Sequence, residues 1–228
     1  MTATPHGAGS AALVVIGMQS GTIQGCWQVN RVIATITDLV ARARLAGVPV
    51  VWVDDLHADP PLEPDTTDAL AGLVREPGEF VVQKRYRDGF ETSDLADTLA
   101  VLAAHELFVC GAWSDQSVRA TLLGGLTRGF TMTLVEDAHT APPREQADLR
   151  IPAESVVGVM NVIASTPGTP SQACSTLAAA EIDFGRLVPV RDEAVADEAL
   201  TVQEDESDEA ESLDAPAPAS RARQDPAE

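Results

Sequence analysis

Lys84 is the only lysine in the chain, and the other fourteen basic side chains are arginines. A cation set apart in this way is a candidate site residue, against the plainer reading of a surface lysine beside Arg85 and Arg87. Ser117, in the run Ser114-Asp115-Gln116-Ser117, could act as a nucleophile with Lys84 as its base, since serine–lysine pairs do occur in hydrolases. The competing reading is a serine in the first turn of a helix, bonded to backbone, and a hydroxyl is harder to activate than a thiol. Asp54, Asp55 and Asp88 are carboxylates that neighbouring loops could bring to Lys84. Asp55-Leu-His57 has the look of two metal ligands, but a metal site wants a further one. The other histidines, His6, His105 and His139, stand far off in sequence, so neither a metal nor a cofactor is assigned.

The elements that must position these residues are short apolar runs separated by helices. Residues 12–16, 50–53, 80–82, 107–110 and 131–135 read as strands, the first buried on both faces and the second buried as well. Asn30 is a plausible N-cap for a helix through Ala46, with Val32, Ile33, Ile36, Leu39, Val40 and Ala43 on one stripe. Gly47 ends it as a C-cap glycine, and Pro49 follows where a helix cannot continue. Ser93 is expected to cap a helix to Ala104, and Ser114 one that carries Val118, Thr121, Leu122 and Leu126 and stops at Gly129. A helix is expected over 153–164 and a short one over 67–74, inside an Asp- and Pro-rich loop. Strands alternating with helices at this spacing imply a doubly wound, mostly parallel sheet with helices on both faces, a Rossmann-type three-layer α/β sandwich.

The 228 residues carry fifteen basic against thirty-five acidic side chains, a net charge of -20, which argues against nucleic acid and anionic membrane surfaces as partners. Thirteen acidic and three basic residues fall between Arg191 and Glu228, so half of that charge sits on the last sixth of the chain. The expected organisation is a flexible start at 1–10, a folded domain at 11–190 and an acidic, disordered tail at 191–228. The tail is a solubilising or protein-partner-facing appendage. Cys26, Cys110 and Cys174 show neither a pairing pattern nor metal spacing. No apolar run approaches a membrane span and the start lacks a signal peptide's features, so a cytoplasmic location is expected.

In a doubly wound sheet, chemistry sits at the carboxyl ends of the strands. Those ends read Val15-Ile-Gly-Met-Gln19, Val82-Gln-Lys84 followed by Phe90-Glu-Thr-Ser-Asp-Leu95, Cys110-Gly-Ala-Trp-Ser-Asp-Gln-Ser117 through Thr121, and Val135-Glu-Asp-Ala-His139. Taken in order, these resemble the isochorismatase-like hydrolases, the superfamily of nicotinamidases, N-carbamoyl amidohydrolases and isochorismatases. The helix-to-strand junction Ala43-Arg-Leu-Ala-Gly-Val-Pro-Val50 is similar as well.

The resemblance implies a cysteine nucleophile activated by an aspartate on the first strand and held by the lysine. Lys84 stands at the lysine position. Gly17 stands at the aspartate position and Ser117 at the cysteine position, so two of the three groups are replaced. A general acid or base must lie within hydrogen-bond reach of the proton it moves, and glycine offers nothing. The implied expectation is a pseudoenzyme that acts through binding or assembly as a dimer or tetramer. The alternative is an active hydrolase of C–N or enol-ether bonds, using Lys84 with a displaced carboxylate. By the same resemblance, Asp55 and His57 look like part of a nicotinamidase metal site, Trp113 and Ser117 border the ligand pocket, and the Ala112–Trp113 bond is cis.

Overall fold

The structure, a computed structural model, describes residues 10–56, 70, 72–166 and 173–187. Its elements are β1 (Ser10–Ile16), α1 (Val29–Leu45), β2 (Val50–Asp55), β3 (Phe80–Lys84), α2 (Leu95–Val101) and β4 (Ala104–Ala112), then α3 (Arg119–Thr127), β5 (Thr131–Thr140), β6 (Arg144–Gln146), β7 (Leu149–Ile151), α4 (Ala153–Ser165) and β8 (Cys174–Leu177). Six strands form one sheet in the order β3-β2-β1-β4-β5-β8, every neighbouring pair parallel. A separate antiparallel hairpin joins β6 to β7. The expected α/β sandwich is present.

Alternation along β1 divides the core. Leu13 and Val15 face α1, packing with Val32, Ile36, Leu39 and Val40, together with Phe108 and Phe184. Ala12, Val14 and Ile16 face the other layer, with Leu95 and Leu99 of α2, Leu122 of α3 and Met160 of α4. A strand covered on both faces needs no polar alternation, which is why its sequence reads as an unbroken apolar run.

Element boundaries shift where local polar chemistry differs from expectation. Asn30 lies inside α1, whose N-cap is Gln28 in the left-handed region at φ 48°. α2 ends at Val101, because Ala103 takes a positive φ of 49° and β4 starts at once. The N-cap of α2 is Asp94 rather than Ser93, whose hydroxyl nevertheless accepts from the Leu95 N–H at 3.2 Å. Ser114 caps no α-helix. It opens a turn of π-helix, in which the Val118 N–H reaches the Trp113 carbonyl at 3.1 Å, and α3 begins only at Arg119. Gly72 to Val74 are not helical, and most of the helix expected at 67–74 lies outside the described residues. So do residues 1–9 and 188–228, which hold most of the expected flexible start and all of the acidic tail; Ser10 already belongs to β1. No described helix is long and apolar enough to cross a membrane.

Candidate functional site

β2 and β3 run in register with Asp55 opposite Lys84. Lys84 is fully buried. Its Nζ donates to Asp55 Oδ2 at 2.6 Å, to Ser117 Oγ at 3.0 Å and to the Tyr86 carbonyl at 3.2 Å. An ammonium has three protons to give, and all three are used. Burial pushes Lys84 below the ordinary lysine value, while the Asp55 carboxylate pulls it back up. Asp55 is held in turn by Gln19, a buried side chain that accepts the Asp55 N–H at 2.8 Å and donates to its carbonyl at 3.4 Å. The two other candidate carboxylates are engaged elsewhere. Asp54 pairs with Arg75 at 2.6 Å, and Asp88 with Arg128 at 3.6 Å and with the Phe90 N–H at 2.9 Å.

Gly17, the residue after β1, has φ +59°, and a Cβ placed there would sit 2.6 Å from the Ala112 carbonyl oxygen. The position is closed to any side chain without rearrangement of the β4 end. The Ala112–Trp113 bond is cis, as the resemblance implies. Beyond it the π-turn presents Ser117 to Lys84 while Ser114 points the other way. Ser114 Oγ lies 2.8 Å from His139 Nδ1, and His139 Nε2 lies 2.8 Å from Asn161 Oδ1. Burial lowers the His139 value, which suits a neutral imidazole accepting from Ser114 and donating to Asn161. This chain ties the π-turn to β5 and α4.

Trp113 is half-buried. Its indole N–H donates to the Thr22 carbonyl at 2.6 Å, and the Arg144 guanidinium lies 4.8 Å above its ring. Arg144, from the β6 strand, also grips both Asp115 oxygens at 2.6 and 2.7 Å. Cys26 stands beside this stack, its thiol pushed up to about 12 by burial, so it is no thiolate. Asp137 accepts the Ala179 N–H at 2.8 Å, anchoring the chain after β8. Among the described residues no group of three His, Cys, Asp or Glu side chains is placed to hold a metal; His57 lies outside them.

Of the candidate residues, Lys84 and Ser117 lie within hydrogen-bond distance of each other, and Asp55 is the carboxylate that reaches Lys84. Gln19 and Arg144 were not anticipated as partners. Gln19 lies inside the β1 motif, where its type permits two bonds to one backbone unit; nothing in sequence links Arg144 to Trp113.

The sequence model of the isochorismatase domain matches residues 11–159. The chain belongs to this family. Among curated proteins it is 37% identical over 140 residues to a streptothricin hydrolase of Streptomyces noursei, covering 56% of this chain and 53% of that one. The chain therefore spans about half the length of that relative. Among solved structures, an isochorismatase from Pseudomonas putida KT2440 superposes with a TM-score of 0.70 at 26% identity, covering 80% of this chain and 94% of its own. An N-carbamoylsarcosine amidase from Thermoplasma acidophilum shares the fold at a TM-score of 0.59 and 20% identity, covering 76% and 99%.

Proposed function

We propose that this isochorismatase-family chain keeps the family's pocket as a binding site and no longer carries out covalent hydrolysis. The observation that supports this reading is the saturation of Lys84. A charged lysine that gives its three protons to Asp55, Ser117 and Tyr86 is no base for the serine, and Gly17 supplies none. Because Asp55 offsets the Lys84 charge, the pocket favours a ligand with an amide or carbonyl group over an anion. Streptothricin, the substrate in the relative's name, is the first compound to try.

The test incubates the protein with streptothricin, isochorismate, nicotinamide and N-carbamoylsarcosine, following products by mass spectrometry and binding by calorimetry. Binding of at least one without turnover is the expected result. Turnover that disappears in Lys84→Met overturns it. A second reading, an active hydrolase, is favoured by the 2.6 Å Asp55–Lys84 contact, along which a Ser117 proton could pass by way of Lys84. Ser117→Ala separates the two: it abolishes turnover under the second reading and leaves binding intact under the first. We further propose that the binding form is a cytoplasmic homo-oligomer, to be measured by sedimentation.

A further inference from the structure

A cleft of about 180 Å³ opens at the carboxyl end of β5, between α1 and α4. It is separate from the Lys84 site, since neither Asp55, Lys84 nor Ser117 lines it. Its buried end is His139, whose two ring nitrogens are already committed to Ser114 and Asn161. The walls carry charge of both signs: Glu136 and Asp137 come from β5, Glu154 from α4 and Arg31 from α1. Opposite charges around one small cleft are free to pair, yet among the described residues none of these four forms an ion pair. Arg31 stands in the first turn of α1, where the positive end of the helix opposes a cation. That turn has neither a capping side chain nor an acidic residue. The guanidinium donates only to Gln28 Oε1, at 3.2 Å, between two exposed side chains. Gly158 also lines the cleft, inside α4, where glycine is disfavoured relative to alanine. A Cβ built on it meets nothing within 4 Å, so packing does not require the glycine.

We propose that this cleft binds a small zwitterion of amino-acid type, its carboxylate at Arg31 and the start of α1, its ammonium at Glu136 and Glu154. A zwitterion meets both unpaired sets of charge at once. A simple amine leaves Arg31 unmet, and a simple acid faces the carboxylates. A carboxylate at the start of α1 also offsets the helix end that Arg31 aggravates. Asp137 has one oxygen on the Ala179 N–H, so the two glutamates are the freer acceptors. The cleft is smaller than the roughly 300–1,000 Å³ of pockets for drug-sized ligands, which limits the occupant to a small molecule. Val32, Val157 and the half-buried Trp27 line it as well and suit an aliphatic side chain. The site is independent of what happens at Lys84.

The test titrates the full chain at low ionic strength with L-leucine, with isopentylamine (the same skeleton without the carboxylate) and with 4-methylpentanoate (the same skeleton without the ammonium), by calorimetry. L-Leucine binds with a dissociation constant of about 1 mM or tighter, and each of the others at least about fivefold more weakly. Arg31→Gln lowers the affinity for leucine about fivefold and leaves that for isopentylamine unchanged. Glu136→Gln combined with Glu154→Gln also weakens leucine but spares 4-methylpentanoate. Gly158→Leu fills the cleft, so leucine binding falls at least about tenfold while the melting temperature stays level or rises. No leucine binding at about 10 mM, an amine or acid that binds as tightly as leucine, or leucine affinity unchanged in Gly158→Leu overturns the proposal. Arg31, Glu136 and Glu154 are exposed, so their variants decide the matter even where Gly158→Leu fails to fold: leucine affinity unchanged in both of them overturns it too.

Discussion

Asp55→Asn isolates what keeps a charged lysine inside this sheet. The two charges are 2.6 Å apart, with Lys84 0% and Asp55 15% exposed at the side chain. At an effective dielectric of 20, a pair at that distance attracts with about 6 kcal/mol. Asparagine still accepts one proton from Nζ, but the ammonium loses the counter-charge in contact with it and keeps only the more remote influence of Asp88. Removing one partner of a buried pair costs about 3–5 kcal/mol. For a domain of this size that is a fall of roughly 6–20 °C in melting temperature. Adding Lys84→Met removes the stranded charge, so the double variant regains most of the loss.

The pH dependence has a definite sign. Burial outweighs Asp55 and holds folded Lys84 below its ordinary value of 10.5. A lysine with a lowered folded value sheds its proton first in the folded state, so stability rises as pH climbs from that value toward the unfolded one. In Asp55→Asn the upward pull of the carboxylate is gone, and the rise starts at lower pH. The variant's deficit is therefore greatest below the lowered folded value and shrinks as pH climbs toward the ordinary lysine value of 10.5. Urea melts of wild type, both single variants and the double across this range measure it. A deficit under about 1 kcal/mol, one that is constant with pH, or a double variant no better than Asp55→Asn would refute the reasoning.

Gly17→Ala is expected to lose about 2–4 kcal/mol from the positive φ and the contact with Ala112, read by thermal melting. For the same reason Gly17→Asp combined with Ser117→Cys yields a destabilised protein without amidase activity, and recovered turnover would show that the β4 end can yield. Ser117→Cys alone places a thiol against the Lys84 ammonium, which lowers a thiol's pKa. Iodoacetamide at neutral pH should then modify position 117 before Cys26, whose thiol sits at about 12; peptide mapping gives the order, and the reverse order would mean that Lys84 is uncharged.

Much of this architecture was legible because buried parallel strands write themselves as apolar runs, and residues 12–16 or 107–110 could be little else. The pairing at the site was legible only in part. Asp54, Asp55 and Asp88 were equal candidates for Lys84, and the choice turns on the β2–β3 register and on Arg75 and Arg128, which draw off the other two. The π-turn, the hairpin of β6 and β7 and the four-residue β8 left no readable period, being too short or too irregular for one. The positive φ at Gly17 was equally hidden, since a glycine in a motif reads first as a missing side chain.

That glycine and Asp55 explain each other. A buried ammonium cannot persist without a counter-charge, so a chain that has glycine where the family pattern has aspartate must either lose the lysine or neutralise it from another strand. Here the carboxylate of Asp55, whose backbone N–H and carbonyl are both bonded to the Gln19 side chain, takes on the electrostatic half of the missing role. Its path to Ser117 runs through Lys84, and under the binding reading proposed above it does not take on the half that moves a proton. Under that reading the lysine remains as structure, bonded to the π-turn at Ser117.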